Sequence, residues 1–159
     1  MSSSEHMDGT NVPLEVDAVV VGAGFAGLYA IHKLRDHLGL RVQGFEAGDG
    51  VGGTWFWNRY PGARCDSESY YYCYSFSSEL AQDWEWSRRY PEQPEIERYL
   101  NAVADRFDLR RDLRLSTRVT AAHFDDDGNR WRVTTDDGEV TLCRFFVVAA
   151  VLSAITSPE

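Results

Sequence analysis

Three glycines and one carboxylate near the start of the chain have the types and spacing needed to bind a dinucleotide. Gly22, Gly24 and Gly27 form the pattern GxGxxG after an apolar run, and Glu46 follows about 20 residues later. The glycines permit a tight turn, close approach of the backbone to a pyrophosphate, and close helix–strand packing. Free N–H groups at the helix N-terminus attract phosphates, and the Glu46 carboxylate can accept hydrogen bonds from both ribose hydroxyls. The predicted loop residues are Gly22, Gly24, Phe25, Ala26 and Gly27.

A second glycine-rich stretch follows Glu46 and bears on which dinucleotide is bound. It contains Gly48, Gly50, Gly52 and Gly53. Such a loop near the first one suits a larger cofactor whose pyrophosphate is contacted twice, and this favours FAD over NAD. The plainer alternative is an ordinary βαβ turn followed by a solvated glutamate. The agreement of loop, flanking elements and carboxylate favours the dinucleotide site.

The elements around the glycine loop predict a βαβ unit. Residues 16–21 form a β-branched run typical of a buried parallel strand. Apolar residues then recur at helical spacing to about Leu38, where Gly39 ends the helix. Residues 41–46 predict the second strand, although Gly44 weakens it. Strand, glycine turn, helix and strand in this order form an α/β, Rossmann-like unit.

The remainder predicts one long irregular stretch, one helix and a β-meander inserted in the domain. Residues 47–90 are aromatic-rich without a clean period. Pro94 opens an amphipathic helix that reaches Phe107. Strands are expected over 115–124, 130–135, 139–142 and 144–150, the last of them buried on both faces. The expected organisation is a flexible tail over 1–14, an FAD-binding domain over 15–150, and a truncated or divergent tail over 151–159.

Charge and cysteine content exclude several classes of function. The formal net charge of −9 over 159 residues argues against a nucleic-acid partner. No apolar run is long enough for a membrane span, and the polar start lacks the features of a signal peptide. Three cysteines without a CxxC pair predict reduced thiols in the cytoplasm and no metal site.

A longer motif in the irregular stretch carries a family resemblance. Residues 53–66 read GTWFWNRYPGARCD, and YCYSF follows at 72–76. With QPEI at 93–96 and VADRFDL at 103–109, this resembles the type I Baeyer–Villiger monooxygenases from about Val16 to Ala150. The resemblance implies FAD and NADPH as cofactors, and a ketone converted with O2 to an ester or lactone through a flavin peroxide.

The same resemblance implies roles for individual residues. Glu46 would hold the adenosine ribose of FAD, and Val119 would meet the adenine through its backbone. Asp66 would lie near the isoalloxazine and orient a catalytic arginine outside this chain. A dry pocket would be walled by aromatic side chains, Tyr60 among them. The implied cofactor contacts also include Gly53, Thr54, Trp55, Phe56, Trp57 and Tyr72 for FAD, and Arg64, Cys65 and Asp66 where the nicotinamide of NADPH approaches.

Departures from the family pattern predict a fragment of a flavoprotein with two dinucleotide-binding domains. The sequence has no second βαβ unit that could bind NADPH, and Val151 stands where the family places a glycine. We therefore expect an N-terminal FAD-binding segment that is inactive alone. Two alternatives remain open: a stand-alone, non-catalytic FAD-binding protein, and an amine- or sulfide-oxidising flavin monooxygenase. The small-molecule ketone and O2 are the expected partners, with no nucleic acid and no membrane.

Overall fold

A six-stranded sheet with helices on one face organises the chain. The computed structural model describes residues 12–150; the tail predicted over 151–159 and most of the one over 1–14 lie outside this range. The strands are β1 (Leu14–Val21), β2 (Val42–Phe45), β3 (Leu113–Arg114), β4 (Val119–Asp125), β5 (Arg130–Thr135) and β6 (Val140–Val148). The α-helices are α1 (Phe25–His32), α2 (Thr54–Trp57), α3 (Ser78–Asp83) and α4 (Gln93–Arg106).

The parallel half of the sheet confirms the predicted βαβ unit. The strand order is β3-β2-β1-β6-β5-β4, and β1 lies parallel between β2 and β6. Val19 and Val20 are fully buried, as a β-branched strand covered on both faces requires. The carboxyl ends of β1, β2 and β6 therefore meet at one edge of the sheet.

The first helix packs on this sheet through Leu28 and Ile31, which are fully buried. A Cβ on Gly44 would lie 2.8 Å from Ile31 Cδ1 and 2.6 Å from Leu113 Cδ2, so the glycine in β2 is needed for close packing. The helix continues as a π-helical turn over Lys33–His37, and Gly39 ends it with φ +67°. The prediction of a helix to about Leu38 is confirmed.

The stretch 47–90 contains two short helices that the sequence did not predict. In α3, the Ser77 side chain accepts a hydrogen bond from Leu80 N at 3.2 Å and caps the helix. Both helices are too short for a hydrophobic period to be visible in the sequence. Many aromatic side chains of this stretch pack around α4, where Trp84 and Trp86 both contact Tyr99.

The longest helix, α4, matches its predicted pattern. Ile96, Tyr99, Leu100 and Val103 are buried in one core together with Leu28 and Ile31 of α1. Pro94 lies in the first turn, where its missing N–H costs no hydrogen bond.

The antiparallel strands β4, β5 and β6 form the predicted meander, but they extend the parallel sheet through β6. Val133 and Cys143 pack with Val19 and Phe45 in a second core.

The last strand differs from its prediction. The two strands expected over 139–142 and 144–150 are one continuous strand, β6. The expectation of burial on both faces is wrong, because Phe145 is 44 % exposed and Val148 is 63 % exposed. Within residues 12–150, β5 pairs with β6 only up to Cys143, so the rest of β6 has a strand neighbour only in β1. None of the helices described is long and apolar enough to cross a membrane.

Candidate functional site

A cleft of about 940 Å³ opens at the carboxyl ends of the parallel strands. This is where ligands bind in doubly wound α/β folds, and the volume is at the upper end of the range for small-molecule sites. The glycine loop, the ends of β1 and β2, and the start of α2 form its walls. The lining residues are Val21, Gly22, Ala23, Gly24, Phe25, Ala26, Phe45, Glu46, Ala47, Gly52, Gly53, Thr54, Trp55, Trp57, Asn58, Tyr72, Thr117, Arg118, Val119, Ala149 and Ala150.

Two glycine loops touch each other at the floor of the cleft. A Cβ on Gly53 would lie 2.7 Å from Gly24 Cα, and Gly53 has φ +55°. A Cβ on Gly22 would lie 2.7 Å from Ala149 O, and one on Gly27 would collide with Gly22 O. The glycines thus leave a backbone-lined cradle at the N-terminus of α1. No acidic residue lies in the first turn of α1, so its free N–H groups remain available to a phosphate.

The Glu46 carboxylate joins these two loops. It is 6 % exposed, and its Oε2 accepts a hydrogen bond from Ala23 N at 2.8 Å. Its Oε1 accepts one from Gly48 N, also at 2.8 Å. A carboxylate has about four acceptor sites, so two remain for ribose hydroxyls. The sequence predicted the ribose contact but not the structural role.

An aromatic wall closes one side of the cleft. Trp55 Nε1 donates to the Tyr72 hydroxyl at 3.1 Å, and Tyr72 packs edge-on against Phe25 with ring centroids 4.8 Å apart. Burial raises the pKa of Tyr72, and the charge of nearby Asp66 adds to the rise. Because Tyr72 stays protonated, its hydroxyl can donate to a ligand in the cleft. Within residues 12–150 the hydroxyl makes no hydrogen bond besides the one that it accepts from Trp55.

A second layer of side chains holds the wall in place. The Tyr74 hydroxyl donates to Phe25 O at 2.6 Å, and Tyr74 N donates to the Tyr99 hydroxyl at 2.8 Å. Gln93 Nε2 donates to Trp55 O and to Glu97 Oε2. The helix α4 therefore anchors both Phe25 and Trp55, which explains why the QPEI segment accompanies the aromatic motif.

Most of the residues predicted to bind the cofactor line the cleft. The ones that do are Gly22, Gly24, Phe25, Ala26, Glu46, Gly53, Thr54, Trp55, Trp57, Tyr72 and Val119. Gly27 lies behind the loop as a packing residue. Phe56 packs over the second glycine loop: a Cβ on Gly48 would lie 2.7 Å from its ring.

The segment over 64–66 and Tyr60 do not line the cleft. Arg64 forms an ion pair with Glu92 at 2.9 Å, and Cys65 is buried. Tyr60 is 64 % exposed and does not line the cleft, so the prediction that it belongs to the aromatic wall is wrong. Asp66 is exposed and has no hydrogen-bond or ion-pair partner among residues 12–150. The cofactor contacts expected of Arg64, Cys65 and Asp66 stay predictions.

Sequence reasoning missed several cleft residues, chiefly Asn58, Thr117 and Arg118. Thr117 N donates to Glu46 O at 2.9 Å, and Ser116 N donates to Gly48 O at 2.8 Å. The segment follows β3, which lies beside β2, so it ends at the same sheet edge as Glu46. A third parallel strand, visible in the sequence, would have placed this segment at the cleft. However, β3 has only two residues, too few for an alternation of apolar and polar residues to be visible.

Comparison with known proteins agrees with this geometry. Residues 20–84 match the model of an NAD(P)-binding Rossmann-like domain. The chain is 54 % identical over 140 residues to an acetone monooxygenase (methyl acetate-forming) of Gordonia sp. (strain TY-5), covering 87 % of this chain and 26 % of that protein. It is 50 % identical over 144 residues to phenazine N-monooxygenase PhzNO1 of Lysobacter antibioticus, covering 90 % of this chain and 27 % of that one.

Solved structures give the same result. A steroid monooxygenase in its oxidized form bound to NADP is 63 % identical with a TM-score of 0.84, covering 86 % of this chain and 26 % of that chain. The resemblance to Baeyer–Villiger monooxygenases and the Rossmann-like fold are confirmed. This chain spans about a quarter of the length of the relatives it matches.

Proposed function

We propose that the chain, which matches the N-terminal part of Baeyer–Villiger monooxygenases, is the FAD-binding segment of such an enzyme. The observation that carries this proposal is the cradle formed by two touching glycine loops with Glu46 between them. A backbone cradle at a helix N-terminus suits a pyrophosphate, and a buried carboxylate beside it suits a ribose.

Different cleft residues would contact different parts of the cofactor. The first turn of α1 binds the pyrophosphate through backbone N–H groups, and Glu46 accepts the adenosine ribose hydroxyls. Trp55, Trp57 and Tyr72 also line the cleft, and they would bound the flavin and exclude water. The Tyr72 hydroxyl can donate a hydrogen bond there while accepting one from Trp55.

When bound, FAD supplies a ring that accepts hydride from NADPH and reacts with O2. The part of this chain is to hold that ring in a dry pocket and to position charge beside it. Asp66 is an exposed carboxylate without a partner in the part described, and its charge helps to raise the pKa of Tyr72. It is therefore available to hold an arginine supplied from outside residues 12–150, by charge-assisted hydrogen bonds.

For the whole enzyme we propose a small-molecule ketone and O2 as substrates and an ester or lactone as product. NADPH would be the hydride donor. We place the enzyme in the cytoplasm, because Cys65, Cys73 and Cys143 are all free thiols. The acidic charge of −9 supports function without a nucleic-acid partner.

Oxygenation at nitrogen is a second candidate. The 50 % identity to a phenazine N-monooxygenase favours it specifically. Both reactions would use the same FAD cleft, so the residues described here serve either. Product analysis of an enzyme containing this segment, given a cyclic ketone and a phenazine in parallel, separates the two.

The experiment for the proposed function is a flavin titration of the purified chain. FAD is expected to bind with a shifted and structured absorbance spectrum, and FMN more weakly because it lacks the adenosine half. Gly24→Val should abolish binding, since a Cβ at Gly24 already lies 3.3 Å from Gly53 Cα. Ala81→Val, on the exposed face of α3, is the matched control and should bind normally. A correctly folded chain that binds no FAD would refute the proposal.

A further inference from the structure

One arginine in the cleft has no role in the proposed function so far. Arg118 lines the cleft, and it makes no ion pair within residues 12–150, whereas most of the other arginines there pair with a carboxylate. We propose that Arg118 binds the adenine end of FAD, with its guanidinium lying against the adenine ring. This inference rests on the proposed function and deepens it.

The backbone around Arg118 is held from both sides. Thr117 N donates to Glu46 O at 2.9 Å. Arg118 N donates to Asp136 Oδ1 at 3.0 Å, and Asp136 N donates back to Arg118 O at 2.8 Å. The segment is thus tied both to the end of β2 and to the β5–β6 turn. The backbone of Arg118 is therefore fixed before the ligand arrives, so binding has to order only its side chain, which lowers the entropic cost.

The strand order decides which part of the cofactor Arg118 meets. The pyrophosphate site follows β1, the ribose carboxylate follows β2, and the Arg118 segment follows β3. Since neighbouring strands are about 4.8 Å apart, these three sites are successive steps in one direction along the sheet edge. A dinucleotide laid across them places its adenine beyond Glu46, beside Arg118.

The charge of the site favours contact with the base over contact with a carboxylate. At this sheet edge the buried Glu46 carboxylate accepts hydrogen bonds from Ala23 N and Gly48 N, and Asp136 Oδ1 accepts one from Arg118 N. Among residues 12–150 no carboxylate forms an ion pair with the Arg118 guanidinium, which is planar and weakly hydrated. Such a group stacks on aromatic rings, and a lysine at the same position does not.

The test is a set of titrations on the full chain with FAD, ADP and FMN. Arg118→Ala should weaken FAD and ADP about tenfold, equivalent to about 1.4 kcal/mol. Arg118→Lys should weaken FAD and ADP binding almost as much, because lysine retains the positive charge but lacks the planar guanidinium group. FMN affinity should not change. Arg132→Ala is the matched control, since Arg132 is exposed on β5, lies outside the cleft, and also has no ion pair in the part described.

The outcomes separate this inference from the proposed function. Unchanged FAD and ADP affinity in Arg118→Ala, with wild type binding both, overturns the role of Arg118 alone. Full retention by Arg118→Lys also overturns it, since it would mean that charge suffices. If the wild-type chain binds ADP but no flavin, the proposed function is refuted. The ADP affinities of the Arg118 variants then still test whether Arg118 contacts the adenine. Wild type that binds neither refutes both.

Discussion

Replacement of Glu46 is expected to destabilise the fold itself as well as the cofactor site. Glu46→Ala removes the acceptor of two buried backbone N–H groups, those of Ala23 and Gly48. A hydrogen bond to a charged group contributes about 1.5–3 kcal/mol, so the loss should be about 3–6 kcal/mol. Because domains of this kind have a free energy of unfolding of about 5–15 kcal/mol, the variant should remain folded but near its limit. Glu46→Gln keeps one acceptor oxygen and should lose about half as much.

The assay is urea unfolding followed by circular dichroism, with FAD titration of the same samples. Glu79→Ala is the matched control, because the Glu79 side chain is 80 % exposed and its ion pair with Arg106 is long, at 3.4 Å; it should change stability by less than about 0.5 kcal/mol. FAD binding by Glu46→Gln should weaken by about 1–3 kcal/mol. A Glu46→Ala variant within 1 kcal/mol of wild type would refute the role of Glu46 as a link between loops. Unchanged FAD affinity would remove it from the ribose site.

Tyr74→Phe should cost about 1 kcal/mol of stability in thermal or urea unfolding, since it leaves the Phe25 carbonyl without its donor; no loss would mean that water replaces the hydroxyl. The Arg35 guanidinium beside Asp36 lowers the pKa of that carboxyl, so the pair stabilises the fold above the unfolded pKa of about 3.9 and this stability is lost as pH falls through the lower folded value. Asp36→Asn should therefore reduce the stability difference between pH 7 and pH 2, and an unchanged difference would contradict this. The chain incubated with FAD, NADPH, O2 and cyclohexanone should form no lactone above a protein-free control by gas chromatography, because Asp66 holds no arginine among residues 12–150; lactone formation would show that residues of this chain complete the site.

The parallel part of the fold was predictable because its signals are local and strong. The β-branched run ending at Gly22, the helical spacing of Leu28 and Ile31, and the pattern of α4 each bury a contiguous face. Such patterns determine element type with little help from the rest of the chain.

Features set by tertiary contacts were not predictable. The helix α2 forms where the second glycine loop turns, and its four residues have no period of their own. The exposure of Phe145 depends on β5 ending its pairing at Cys143, which no local pattern indicates. Thr117 and Arg118 enter the cleft only because the two-residue β3 lies beside β2.

In the candidate site, too, the residues of a local motif were predictable and the others were not. The glycines and Glu46 carry a motif with a physical reason at each position, and they line the cleft or pack behind it. The roles given to Arg64 and Asp66 came from the resemblance. Both lie outside the cleft wall, where Arg64 pairs with Glu92 instead.

A crystal structure of the chain grown with saturating FAD tests the central claim most directly. We expect one FAD per chain, with its pyrophosphate at the first turn of α1 and its adenosine ribose within hydrogen-bond distance of Glu46. The adenine should lie beside Arg118, and the flavin should extend towards Trp55 and Tyr72. Density for FAD at any other surface would contradict this placement. So would an empty cleft in crystals of a chain that binds FAD in solution.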